Sequence, residues 1–91
     1  MTTWELAEKP KRKNHTFAVV IKQNGDIYVT GLVYYGKKPQ GSIGFIDREF
    51  TNTKKYAEEV GRMMLRDLKK GKYDRRIEEE IKHEWALAKF R

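Results

Sequence analysis

Two runs of β-branched and aromatic residues, separated by a turn signal, follow a polar N-terminal segment. The runs cover residues 16–22 and 26–35, and Asn24-Gly25 lies between them. Asn-Gly favours a two-residue hairpin turn, because a type I′ turn needs a positive φ at both central positions. The pattern therefore predicts an antiparallel hairpin in which Ile21 lies opposite Tyr28.

Both faces of the predicted hairpin are rich in apolar residues. One face carries Phe17, Val19, Ile21, Tyr28 and Leu32. A sheet that is apolar on both sides is usually covered on both sides, so we expect packing against each face. A lysine-rich loop over residues 36–41 and a further run over residues 42–47 add a third strand.

Two amphipathic helices are predicted after the strands, over residues 52–70 and 75–90. In the first, apolar residues recur at spacings of three and four positions and form a stripe of Ala57, Val60, Met64 and Leu68. Thr51 or Thr53 is placed to cap its start, and Gly71 suits its end. The stripe of the second helix consists of Ile77, Ile81, Trp85 and Ala88. The chain is therefore predicted to be an α+β protein, with a three-stranded antiparallel sheet followed by two helices.

The first 15 residues are predicted to form a basic N-terminal arm, outside the single domain of residues 16–91. Residues 9–14 combine four basic side chains with a proline and show no periodicity, which favours a flexible arm or loop. Trp4 and Leu6 precede them, with Glu5 in between. This alternation fits either a short strand at the sheet edge or a frayed end whose Trp4 packs on the core.

The 91 residues carry a formal net charge of +7 and no cysteine. Seven basic and three acidic residues fall in the segment 51–73, whereas residues 74–91 are balanced. The basic excess therefore concentrates around the first helix and favours polyanions as partners, through release of counterions. The plainer interpretation is a charge that keeps a small domain in solution. The lack of cysteine excludes disulfides and thiolate sites and fits a cytoplasmic location.

No residue pattern in the chain matches a catalytic, metal or cofactor site. His83-Glu84 begins like the zinc motif H-E-x-x-H, but Leu87 occupies the position of the second histidine. The glutamates at 58–59 and 78–80 lie among Lys and Arg at helical spacing, which describes solvated charge rather than a general acid and base. No apolar stretch is long enough for a signal peptide or a membrane helix. We therefore expect a non-catalytic protein without cofactor, metal or membrane partner.

Two binding functions remain open. One is binding of duplex nucleic acid, DNA rather than RNA, through basic residues of the arm, the loop and the first helix: Lys11, Arg12, Lys13, Lys37, Lys38, Lys54, Lys55 and Arg62. The other is docking on a protein, as a host-directed inhibitor of the kind that phages encode or as a homodimeric accessory protein. The interface would then include Trp85, Leu87 and Phe90, since Leu87 and Phe90 lie off the apolar stripe of the second helix.

Several short motifs are similar to the arm-site DNA-binding domain of phage-type tyrosine integrases. They are Asn24-Gly25 between the first two strands, Gly36-Lys37-Lys38 in the following loop, and residues 50–57 at the start of the helix. This resemblance implies three antiparallel strands followed by a helix, and binding to duplex DNA. His15 and residues 53–57 also resemble the double-stranded-RNA-binding domain, which implies phosphate contacts from lysines at a helix start.

Overall fold

The computed structural model describes residues 2–13, 15–35 and 44–88, apart from the side chains of residues 35, 81 and 83–88. The elements in these parts are β1 (Thr2–Glu5), β2 (Lys11–Arg12), β3 (His15–Asn24), β4 (Ile27–Tyr35), β5 (Gly44–Thr51), α1 (Lys54–Lys70) and α2 (Asp74–Ala88). All strand pairs are antiparallel, in the order β1-β3-β4-β5, and β2 pairs with the start of β3. The predicted α+β class, a sheet followed by two helices, is confirmed.

The sheet has five strands where the sequence predicted three, because two segments of the N-terminal arm pair with β3. Trp4 lies opposite Ile21, and the Leu6 amide donates to the Val19 carbonyl at 3.0 Å. Both Trp4 and Leu6 pack against the buried core. Of the two alternatives for the Trp4-Glu5-Leu6 alternation, the strand at the sheet edge is therefore the one that forms.

The β3–β4 hairpin turns at Gly25-Asp26 rather than at Asn24-Gly25. Ile21 consequently lies opposite Thr30 instead of Tyr28, a register shift of two residues. The φ angle is positive at Gly25, at 62°, and not at the second turn residue. Glycine with positive φ at the first central position alone is the pattern of a type II′ turn. Because side chains alternate with a period of two, the shift leaves every residue on its predicted face.

The helix α1 packs across one face of the sheet with the stripe that the sequence predicts. Its buried residues are Ala57, Val60, Gly61, Met64, Leu65 and Leu68. All of these except Gly61 share one core cluster with the fully buried side chains of Phe17, Val19, Ile21 and Leu32. In the same layer the Thr30 hydroxyl donates to the Ala57 carbonyl at 3.1 Å. Thr53 caps the helix by accepting a hydrogen bond from the Tyr56 amide, and Gly71 ends it with a φ of 89°.

The other side of the sheet, the outer face, carries the residues of β4 and β5 that alternate with those facing α1. Paired residues of neighbouring strands share a face, and Thr30 of β4 faces α1. Phe45 and Phe50 pair with Val33 and Val29, which alternate with Thr30, so both rings lie on the outer face. The outer face leaves Ile27, Phe45 and Phe50 exposed by 49%, 47% and 67%. The expected packing is found on the α1 side. On the outer face Ala18 and Val33 are buried, whereas Ile27, Phe45 and Phe50 stay at the surface.

Gly61→Leu is expected to destabilise the protein, although leucine favours helices over glycine. A Cβ atom at Gly61 would lie 2.8 Å from Val19 Cγ1 and 3.0 Å from Leu6 Cδ1. Val19 is fully buried and β-branched, so its side chain has little freedom to move. We expect a loss of about 1–3 kcal/mol in the free energy of unfolding, measured by chemical denaturation. The control Glu59→Leu, at an exposed position of the same helix, should change it by less than about 0.5 kcal/mol. Equal changes in both variants would contradict the close approach of α1 to the sheet.

Tyr73 connects the turn between the helices to β5. Its hydroxyl donates to Asp47 Oδ2 at 2.9 Å, and the residue is 9% exposed. Burial, followed by the hydrogen bond to Asp47, raises the pKa of Tyr73 above its usual value of 10.0. A group whose pKa is raised by folding stabilises the fold below its unfolded pKa, and this contribution is lost as the pH rises above that value.

Tyr73→Phe is expected to lower the free energy of unfolding by about 1–2 kcal/mol at neutral pH, since it removes a hydrogen bond to a carboxylate. The difference from the wild type should shrink above about pH 10, because only the wild type gains a tyrosinate on unfolding. Urea titrations at neutral and alkaline pH measure both values. A difference that stays constant or grows at alkaline pH would show that the hydroxyl is not held as the structure places it.

Candidate nucleic-acid interface

Arg12 holds the N-terminal segment against the start of α2. Its guanidinium donates two hydrogen bonds to the Asp74 carboxylate, from Nε to Oδ1 at 2.9 Å and from Nη2 to Oδ2 at 2.6 Å. The hydrogen bond from Arg12, aided by its charge, lowers the pKa of Asp74, and the same contact raises the pKa of Arg12. A guanidinium held in this bidentate way positions β2 and is not free to meet a phosphate.

Lys13 is engaged by the same helix, with its Nζ 3.2 Å from Glu78 Oε1. The neighbouring Arg12 Nη2 lies within 2.9 Å of where a Cβ atom at Gly71 would be, so β2 lies at the C-terminal end of α1. Lys54 lies at the opposite, N-terminal end of α1, whose 17 residues extend over about 25 Å. The basic residues of the arm and those of the helix start are therefore far apart rather than in one patch.

The two lysines at the start of α1 have different surroundings. Lys54 Nζ lies 5.0 Å from the centroid of the Trp4 ring, which is a cation–π contact. Lys55 is exposed and has no ion pair among the described residues. Lys54 therefore helps to hold β1 against the helix, while Lys55 is free to meet a ligand.

A line of cations without acidic partners runs along the exposed side of α1. We call it the α1 ridge, and it consists of Lys55, Arg62, Arg66 and Lys70. All four side chains are exposed, and none forms an ion pair with another described residue. At 1.5 Å per residue, the ridge extends over about 22 Å. Glu59 lies on the same exposed side and is the acidic residue that interrupts it.

Many of the other described cations are already paired with carboxylates. The pairs include Lys9 with Glu5, Lys69 with Glu8, Lys72 with Asp67, Arg75 with Glu79 and Arg76 with Glu80. Lys11 of β2, Lys22 of β3 and Lys82 of α2 also form no ion pair with another described residue, and Lys54 has only its contact with Trp4. Among the described residues, uncompensated positive charge is therefore most extended along the α1 ridge.

No family model, curated protein or solved structure matches the chain. The resemblances to the integrase arm-site domain and to the double-stranded-RNA-binding domain therefore stay predictions. Among the described helices, none is long and apolar enough to cross a bilayer. The described residues, in strands and loops as well as helices, contain no group of three or more His, Cys, Asp or Glu placed to hold a metal ion.

The structure brings together only part of the predicted site. Lys55 and Arg62 share the α1 ridge and Lys54 flanks it, whereas Arg12 and Lys13 are held by α2. Five other residues of the predicted sites fall, wholly or by their side chains, outside the described parts of the chain. Lys37, Lys38 and Phe90 lie outside the described residues, as do the side chains of Trp85 and Leu87.

Two surface features were missed by the sequence reasoning. On the outer face, Arg48 stands between the exposed rings of Phe45 and Phe50. Beside β5, a groove of about 340 Å³ separates the strand from α1, and the exposed side chains of Tyr56 and Met63 line it. The row of Phe45, Arg48 and Phe50 was missed because the predicted third strand ended at residue 47, before Arg48 and Phe50. A β-bulge in β5 also breaks the simple alternation of its side chains.

Proposed function

We propose that the protein binds duplex nucleic acid, DNA in preference to RNA, along the α1 ridge. The observation that carries this proposal is the ridge itself, with four exposed cations that have no acidic partner among the described residues. A duplex presents the phosphates of two strands on either side of a groove, and the major groove of B-DNA is about 12 Å wide. A ridge of about 22 Å is therefore long enough to meet phosphates on both sides of the groove.

The preference for DNA follows from the shape of the grooves. The major groove of B-DNA admits an α-helix, whereas that of an A-form RNA duplex is too narrow and deep for side chains to reach into it. The contact surface that we propose is the exposed side of a helix, so it fits B-DNA better. Lys and Arg contacts to phosphates position a protein without reading sequence. The proposed binding is accordingly independent of base sequence.

Binding to a labelled duplex of about 20 base pairs should depend steeply on salt. Four phosphate contacts give a slope of about −3.6 for the logarithm of the association constant against that of salt concentration. The affinity should then fall about 150-fold between 50 and 200 mM salt. Fluorescence anisotropy measures the affinity at each salt concentration. Two DNA duplexes of unrelated sequence should bind alike, and a matched RNA duplex should bind more weakly. Absence of binding at 50 mM salt, or a change smaller than about fivefold, would rule the proposal out.

Docking on a protein is a second candidate function, supported by the groove beside β5. In the described sheet β5 is an edge strand, and exposed strand edges accept a further strand from another chain. Tyr56 and Met63 offer apolar contacts beside that edge, being 59% and 56% exposed. Affinity capture tests this function. If the protein docks on a partner, that partner should stay bound after nuclease treatment of the sample and should no longer bind the Met63→Glu variant. A capture that depends on nucleic acid would favour the α1 ridge instead.

A further inference from the structure

Two exposed aromatic rings and a guanidinium form a row along the outer face of β5. Phe50, Arg48 and Phe45 pair in turn with alternate residues of β4, namely Val29, Gly31 and Val33. Alternate residues of a strand are about 6.6 Å apart, so the three groups follow one another at about that spacing. The Phe45 ring lies over Gly31, where a Cβ atom would come within 2.8 Å of it, and the Arg48 guanidinium carbon is 5.5 Å from the centroid of that ring.

The charges of β5 are divided between the two faces of the sheet. Arg48 lies on the outer face, whereas Asp47 and Glu49 pair with the residues of β4 that face α1. Lys22 is exposed on the outer face, in the same cross-strand row as Phe50. Glu5 of β1, at the far edge of this face, is already in an ion pair. Among the residues that the structure describes, the charged groups nearest the two rings are therefore cations.

Exposed aromatic rings beside cations on a sheet face are suited to unpaired bases. Every base has a π face that stacks on an aromatic ring, while neighbouring cations meet the phosphates. Stacked bases in a duplex lie about 3.4 Å apart along one strand, roughly half the spacing of the row. We infer that the outer face binds single-stranded nucleic acid in an extended form. Phe45 and Phe50 stack its bases, and Arg48 and Lys22 hold its phosphates.

A protein partner is the other class of molecule that covers an apolar sheet face, and the position of Arg48 disfavours it. Arg48 lies between the two phenylalanines along β5 and its guanidinium contacts the Phe45 ring, so a partner packed on both rings would bury this charge. Burying a charge without an acidic partner costs free energy, whereas a phosphate group supplies the partner directly. The inference does not rest on the proposed function, because the α1 ridge lies on the opposite side of the sheet.

The test is the affinity for a labelled oligothymidylate of about ten nucleotides, measured by fluorescence anisotropy for Phe50→Leu and Phe50→Trp. Leucine keeps an apolar side chain without a ring, and tryptophan keeps the ring. Because Phe50 is 67% exposed, both variants should retain the far-ultraviolet circular dichroism of the wild type. Phe50→Leu should bind at least about fivefold more weakly, the lower end of what one stacked base contributes, and Phe50→Trp at least as tightly as the wild type.

The ring dependence separates this inference from binding by charge alone. Phe50→Leu should weaken binding by the same factor when Arg62→Glu and Arg66→Glu are also present, since those residues lie on the α1 ridge. Equal affinities of Phe50→Leu and the wild type would overturn the inference even if the strand binds. Absence of binding to the single strand would overturn it too, and a dimer in light scattering that Phe50→Glu dissociates would show that a second copy covers this face. Loss of duplex binding alone would leave the inference standing and remove only the proposed function.

Discussion

Val60→Asp is expected to remove several kcal/mol from the free energy of unfolding, a large share of the ~5–15 kcal/mol typical of whole domains. Val60 is 7% exposed and lies in the core cluster between α1 and the sheet, with Ala57 and Met64. A carboxylate in that cluster loses its hydration without gaining a cation. Because burial raises the pKa of such a carboxyl, the loss should become smaller as the pH falls and the group is protonated.

Arg62→Asp is the matched control, because it introduces the same residue two positions further along α1. Arg62 is exposed on the α1 ridge, so its replacement should change the free energy of unfolding by about 0.5 kcal/mol or less. Urea titrations of both variants at neutral pH and near pH 5 give the comparison. Similar losses in the two variants would mean that the buried side of α1 is wrongly assigned.

Combining Arg62→Glu with Arg66→Glu is expected to abolish most duplex binding while leaving the fold intact. Two unit charges 4 Å apart in water interact with about 1 kcal/mol, so replacing attraction by repulsion changes each contact by about 2 kcal/mol. Two such contacts correspond to a loss of roughly 10³-fold in affinity. The salt slope should fall as well, from about 3.6 to about 1.8 in magnitude, because two phosphate contacts are gone.

A control of equal charge comes from α2, where Arg75→Glu and Lys82→Glu reverse two exposed cations that are not on the α1 ridge. If net charge alone attracts the duplex, both double variants lose affinity to the same extent. If the α1 ridge makes the contacts, the α2 variant keeps the salt slope of the wild type and loses much less affinity. Identical behaviour of the two double variants would exclude the α1 ridge as the contact surface.

Periodicity in the sequence was sufficient to predict α1 and its buried side. The stripe of Ala57, Val60, Met64 and Leu68 is buried as predicted, and Thr53 and Gly71 cap the helix. These features depend on residues within a few turns of one another, so local chemistry decides them. The sequence also placed the strand residues on their correct faces, although the turn lies one position further along, since a shift of two residues preserves the alternation.

The number of strands and the partners of the arm depended on contacts between residues far apart in the chain. β1 and β2 are two to four residues long. The alternation around Trp4 left a short strand as one of two alternatives for β1, and the polar sequence of β2 does not indicate a strand. Arg12 and Lys13 look free in the sequence because Asp74 and Glu78, which hold them, come more than sixty residues later. An ion pair of this kind needs the fold before it can be recognised. By contrast, Lys55 and Arg62 remained exposed because the helical period alone places them away from the core.

Lysine acetylation measured by mass spectrometry, with and without a DNA duplex, tests the contact surface most directly. Lys55 and Lys70 belong to the α1 ridge, whereas Lys22 is exposed on the outer face of the sheet. If the ridge binds the phosphates, the duplex protects Lys55 and Lys70 from acetylation and leaves Lys22 as reactive as in the free protein. Protection of Lys22 without protection of Lys55 and Lys70, or equal protection of all three, would contradict the account.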